Sequence, residues 1–139
     1  MEGLSHADFQ QLLAFRTALR GFLRWSEDQA RAAGLTPTQH QLLLAIIGHD
    51  DARGPTIGES ADYLLLRHHS TVELAARAES AGLVERTPDP DDRRLVRLVL
   101  TETGRAHIEA LAELHLQELQ RLGPILEHLT TTESAAPPQ

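Results

Sequence analysis

Four stretches of this chain carry the same helix-opening signal, and together they constrain its fold more than any other feature. Ser5-His6-Ala7-Asp8, Thr36-Pro37-Thr38-Gln39, Thr56-Ile57-Gly58-Glu59 and Ser70-Thr71-Val72-Glu73 each set a hydroxyl residue three positions before an acid or amide. In such a capping box the hydroxyl accepts a free backbone N–H while the later side chain reaches back to the cap. Pro37 strengthens the second signal, because proline at the first helical position gives up no hydrogen bond. One such match is weak; four that each open an apolar-periodic stretch predict a mainly helical chain.

The first helix is expected from about Leu4 to Ala33, closed by Gly34, with Phe9, Leu12, Leu13, Leu19, Phe22 and Leu23 near its buried side. A helix of that length projects roughly 40 Å, too far for a small domain to cover alone. Part of its apolar surface is therefore expected to meet a second chain. A second helix runs from Pro37 to Gly48, a short third from Gly58 to about Leu65, and a fourth from near Ser70 to before Gly82. Leu83 to Thr87 and Arg94 to Leu100 are β-rich runs joined by Pro88-Asp89-Pro90-Asp91-Asp92, the pattern of a hairpin with a polar tip. Thr101 caps a last long helix whose stripe of Ile108, Leu111, Ala112, Leu114, Leu119 and Leu122 is broken at Gly123-Pro124. Residues 130–139 are expected to form a flexible tail.

At 139 residues the chain suits a single domain. Only 4% of residues are aromatic, so leucine, alanine, valine and isoleucine must build the core. No run approaches the ~18 apolar residues of a membrane span and no secretory signal opens the chain, which predicts a cytoplasmic protein without a membrane partner. There is no cysteine, hence no disulfide, thiol switch or thiolate metal site. Adjacent His68 and His69 point about 100° apart on a helix, and His107 and His115 lie two turns apart. No metal site, cofactor or catalytic group is therefore expected; a glycine-rich phosphate loop and a nucleophile elbow are also missing.

The net charge of −7 is unevenly distributed. Glu109, Glu113, Glu118, Glu127 and Glu133 crowd the last third, whereas charges nearly balance between Arg53 and Arg105, where every cation is arginine. The order helix, turn, helix, hairpin is that of a winged helix-turn-helix, whose second helix enters a DNA major groove.

The chain resembles MarR-type transcriptional regulators, the multiple-antibiotic-resistance regulator family. The hairpin exit DPDDRRLVRLVLT carries Asp92, Arg94, Leu98, Leu100 and Thr101 in the spacing the family shows at the end of its wing. GLTPTQHQLLLAI resembles the family's second helix, STVELAARAESAGLVER its recognition helix and first wing strand, and LTETGRAHIEAL its wing exit and dimerisation helix. The resemblance implies one domain over 1–139, with dimerisation helices at 4–34 and 102–129 around a winged helix-turn-helix at 36–101. It also implies a homodimer on a pseudo-palindromic double-stranded operator, repressing, and released by a small organic effector.

Ser70, Thr71 and Arg77 are the expected groove contacts, because Val72, Ala75 and Ala78 are read as packing inward. Arg67, His68 and His69 precede them as phosphate or base contacts. Arg77 has a plain alternative, a salt bridge to Glu73 four residues earlier. Thr38 and Gln39 lie where a helix N-terminus holds a phosphate, and serve equally well as cap residues. At the hairpin tip Asp92 is expected to orient an arginine across the hairpin, with Arg93 and Arg94 reaching a minor groove. Phe22, Trp25 and His40 are candidates for lining the effector cleft that the resemblance implies, or are simply core. A second reading, favoured by Glu73 and the acidic balance, is a winged-helix adaptor that binds proteins and no DNA.

Overall fold

The computed structural model describes residues 3–130. In chain order it comprises α1 (His6–Ala32), α2 (Pro37–Gly48), α3 (Ile57–Leu64), α4 (His68–Ser80), β1 (Val84–Pro88), β2 (Val96–Leu100) and α5 (Glu102–Thr130). Three of the four capping boxes form as expected. Ser5, Thr36 and Thr56 each accept the third N–H of their helix, and Asp8, Gln39 and Glu59 each accept the cap's own N–H.

The fourth does not form. α4 starts at His68, and its N-cap Arg67 makes no side-chain cap bond. Ser70 and Glu73 therefore sit inside the helix, and the face turned to the core differs from the expected one. Thr71 is fully buried, with its hydroxyl donating to the Arg67 carbonyl at 3.0 Å, while Val72 faces outward. Thr71, Ala75 and Ala78, spaced by four and three residues, form the inward stripe.

α1 and α4 end in the same way. In Ala33-Gly34-Leu35 and Ala81-Gly82-Leu83 the glycine takes positive φ, and the following leucine donates its N–H back to Ala30 or Ala78. Each reverse bond seats a buried leucine against a buried alanine. At Gly82 the chain thereby passes directly from α4 into β1, which fixes where the hairpin begins.

β1 and β2 pair antiparallel, from Val84 opposite Leu100 to Pro88 opposite Val96. The α2–α3 loop lies along the other edge of β2: the Leu98 N–H donates to the Pro55 carbonyl at 2.8 Å, and Thr56 bridges Arg97. Thr101 accepts the Gly104 N–H and donates to the Gly82 carbonyl, so one hydroxyl ties the start of α5 to the start of the hairpin.

α5 continues unbroken through Pro124, as the single helix expected over 102–129 requires, although the apolar stripe was expected to break there. A proline on an exposed face removes one solvent-facing bond, and α1 runs beside the helix on the other side, with Gln11 Nε2 donating to the Leu129 carbonyl at 2.8 Å. The tail expected over 130–139 lies outside the described residues from position 131 on, and Thr130 is the last residue of α5.

Leu42 and Leu43 of α2, Leu98 of β2, and Ile108 and Leu111 of α5 form the centre of the core, with Ala75 and Ala78 beneath the outward face of α4. The apolar stripe of α5 is divided: Ile108, Leu111 and Leu122 are buried within this chain, whereas Leu114 and Leu119 are exposed. On α1, Phe9, Leu12, Leu13, Leu19 and Leu23 are exposed as well, although the sequence periodicity placed them toward a buried side.

Candidate nucleic-acid interface

α3, the tight turn at Leu65 and Leu66, and α4 form a helix-turn-helix, and the hairpin stands beside it as a wing. The outward side of α4 carries Arg67, His68, His69, Glu73 and Arg77, with Ser70 partly exposed. Thr71 leaves the set of groove contacts, since it is buried and hydrogen-bonded within its own helix. Among the described residues no ion pair joins Arg77 to Glu73, so the expected alternative for Arg77 is not formed. Thr38, Gln39, Ser70 and Arg77 line one open recess of about 380 Å³ between the start of α2 and the outer side of α4. Thr38 is exposed there, while the Gln39 carbonyl is engaged in capping, 3.0 Å from the Thr36 N–H.

At the wing tip Arg93 and Arg94 are both exposed. Asp92 accepts the Arg94 backbone N–H and, through its two oxygens, Arg94 Nε and one terminal guanidinium nitrogen, each at 3.0 Å. This side-chain fork holds the Asp92 carboxyl below the usual range and the Arg94 guanidinium above its own. The arginine that Asp92 holds is thus two residues away on the same turn, not across the hairpin as expected.

The cross-hairpin pair is Asp89 with Arg97, which sequence reasoning missed. Asp89 is 4% and Arg97 11% exposed at the side chain, and Arg97 Nε donates to an Asp89 oxygen. Arg97 also donates to the Gly54 carbonyl at 2.7 Å, and the other Asp89 oxygen accepts the N–H groups of Asp91 and Asp92. Arg97 first, and those two backbone groups after it, lower the Asp89 pKa to about 2. The available signal was a charged residue inside the apolar run LVRLVL, facing an aspartate at the opposite strand end.

A second constellation joins the helix-turn-helix to the long helices. Phe22 and Trp25 of α1 and His40 of α2 converge on His115 of α5, with ring centroids 6.1, 4.8 and 4.8 Å from it. His115 Nδ1 lies 2.7 Å from the Leu111 carbonyl, which can only accept, so Nδ1 carries the hydrogen and Nε2 accepts from the Ser26 hydroxyl when the ring is neutral. The structure brings the three sequence candidates together and adds His115 and Ser26, which no local motif marks. An open recess of about 610 Å³ nearby, walled by Gln29, Ala106, Ala110 and Leu114 among others, does not include Phe22, Trp25 or His40.

Burial, and after it the neighbouring His115, depress the His40 pKa. The unfolded chain then binds a proton that the folded chain resists, so this contribution to stability is complete above about pH 6.5 and declines as pH falls toward the lowered His40 value. The urea midpoint is expected to drop between about pH 7.5 and 5.5, and less so in His40→Phe. Equal pH dependence in the two proteins would remove His40 as the cause.

Among the described residues no group of three or more histidine, aspartate or glutamate side chains is placed to share a metal ion, and no helix is long and apolar enough to cross a membrane.

Comparison with known proteins matches this arrangement. Residues 33–95, which span the helix-turn-helix and reach the wing tip, match the MarR family. Two curated relatives are each 35% identical to the chain: the transcriptional activatory protein BadR of Rhodopseudomonas palustris over 82 residues, 59% of this chain, and the uncharacterized HTH-type transcriptional regulator YsmB of Bacillus subtilis over 80 residues, 58% of this chain. The chain spans about half their length, 47% and 53% respectively. Among solved structures, the MarR family regulator AbsC of Streptomyces coelicolor superposes with a TM-score of 0.74 at 21% identity, covering 93% of this chain and 98% of that one. A MepR–DNA complex from S. aureus superposes at 0.69 with 20% identity, covering 89% and 86%.

Proposed function

We propose that this chain, whose residues 33–95 match the MarR family, is a DNA-binding transcriptional regulator that acts as a cytoplasmic homodimer on a pseudo-palindromic operator, represses there, and is released by a small organic effector. It carries out no catalysis in this reading. The observation that carries it is the pairing of an exposed α4 face, bearing Arg67, His68, His69, Ser70 and Arg77, with a hairpin tipped by Arg93 and Arg94. A helix of that kind fits a major groove, and a cationic hairpin beside it reaches the adjoining minor groove. Thr38 and Gln39 would hold a phosphate at the start of α2. The net charge of −7 does not oppose this, because charges nearly balance between Arg53 and Arg105, where the α4 face and the wing lie, and Glu109, Glu113, Glu118 and Glu127 of α5 carry much of the excess.

The exposed leucines and phenylalanines of α1 and α5 support dimerisation, since a second copy would cover them. Light scattering is expected to give about twice the 15.3 kDa chain mass. Leu119 is 46% exposed, so Leu119→Glu should shift the mass toward one chain without unfolding it. Leu111→Glu, at a buried position of the chain's own core, should unfold it instead. A dimer unchanged by Leu119→Glu together with Leu12→Glu would remove these faces from the interface.

For the effector, the Phe22, Trp25, His40 and His115 cluster supports a site at the junction of α1, α2 and α5. A ligand there releases DNA only by favouring the arrangement of the two recognition helices that cannot bind. The proposal as a whole is tested by a reporter driven from DNA containing an inverted repeat selected by the protein. Repression relieved by an aromatic small molecule is the expected result. Activation would reverse the sign of control and agree with the name of BadR; no effect, and no DNA shift, would favour the adaptor reading.

A further inference from the structure

An isolated two-stranded hairpin is only marginally ordered, and its own ladder says nothing about the angle at which it stands from the protein. Here that angle is set by a continuous polar path. The Gly54 carbonyl of the α2–α3 loop accepts from Arg97, Arg97 holds one Asp89 oxygen, and the other Asp89 oxygen accepts the N–H groups of Asp91 and Asp92. Asp92 then holds Arg94. Asp89 closes the tip from its backbone too, donating to the Leu95 carbonyl at 2.9 Å. Glu59, which caps α3, and Asp51 both stand 4.0 Å from Arg97, so the path also reaches the helix-turn-helix. On the outside, Arg53 reaches from the loop to Asp91 at 3.2 Å.

We infer that Asp89 and Arg97 are positioning residues for DNA binding: with the α2–α3 loop they fix the angle of the wing, and so set how strongly the protein prefers A·T-rich sequence at the operator flanks. The inference rests on the DNA-binding reading above and adds to it the determinant of flank specificity. The ion pair is an unusual choice if cohesion alone were needed, since an apolar pair of similar volume commonly stabilises a core as well or better. An apolar pair would hold the strands together but would leave the N–H groups of Asp91 and Asp92 with nothing to point at. Narrow A·T-rich minor grooves concentrate negative potential, and an arginine gains from that only when it is held at the correct depth.

The test uses duplexes selected by the wild-type protein from a random pool, with the outer flanks then rebuilt as A·T or as G·C and, in a third duplex, the half-site bases changed. Wild-type, Asp89→Asn, Arg97→Gln and Arg53→Ala proteins are compared by fluorescence anisotropy, alongside thermal melts and dimer mass. The wild type is expected to favour A·T flanks severalfold. Asp89→Asn and Arg97→Gln should lose that preference and show a shallower salt dependence, yet still discriminate against changed half-site bases. Arg53→Ala, at an exposed position, should fold and lose part of the preference. Folded variants with undiminished flank preference would overturn the inference alone, as would affinity lost equally on every duplex in step with melting. If the two buried variants fail to fold, an unaltered preference in Arg53→Ala overturns it. A wild type indifferent to its flanks would overturn the wing reading itself.

Discussion

Gly54→Ala is expected to destabilise the chain by about 3 kcal/mol or more, placing it in the uncommon class of severely destabilising substitutions. Two independent causes act at this position. Gly54 has φ +88°, a conformation that side chains rarely adopt, and an added Cβ would lie 1.9 Å from the Leu98 carbonyl oxygen. The loop cannot move aside at small cost, because Pro55 accepts the Leu98 N–H and the Gly54 carbonyl accepts Arg97. Retreat would therefore break the contacts that hold β2 and with them the wing. Gly21 provides the contrast: it lies within α1 with open space around it, so Gly21→Ala should stabilise the chain by up to about 1 kcal/mol. Urea titration of the two variants measures both effects. A Gly54→Ala protein as stable as the wild type would mean that the loop does not press on β2 as described.

Arg94→Ala should leave fold and dimer intact while weakening operator binding about 5- to 150-fold, the range for loss of one specific arginine contact. The side chain is exposed and its partner among the described residues, Asp92, sits on the same turn, so nothing in the core depends on it. Asp92→Ala is the sharper experiment because two arguments predict opposite signs. Removing a negative charge from a protein that binds a polyanion should tighten binding. Removing the carboxylate that accepts three Arg94 N–H groups frees the guanidinium to wander, and should weaken it. Weaker binding is the result expected here; tighter binding by a folded Asp92→Ala protein would mean that Arg94 is not preorganised for the groove.

Much of this arrangement was legible in the sequence because it is encoded locally. Capping at Ser5, Thr36 and Thr56 depends on residues within one turn, and the Ala-Gly-Leu endings of α1 and α4 on residues within two. Where long-range packing decides, local signals misled. Ser70 and Glu73 have the spacing of a cap, but α4 starts at His68 and buries Thr71 with Ala75 and Ala78, and tertiary burial outweighs one capping bond. The Asp89–Arg97 pair needs strand register to be seen, and the His115 cluster needs three helices to be placed, so neither was available from spacing.

In the proposed function a dimer of this chain grips duplex DNA with α4 and the wing. That grip is tested most directly by measuring the affinity of the wild-type protein for a selected inverted-repeat duplex across a range of salt concentrations. Each phosphate neutralised releases counterions, so the affinity should fall steeply with salt, with a slope of about 0.9 per contact, shallower by about one in Arg94→Ala. A folded dimer that fails to shift the duplex even at low salt, or binds it with no salt dependence, would contradict the account and leave a winged-helix adaptor that recognises protein instead.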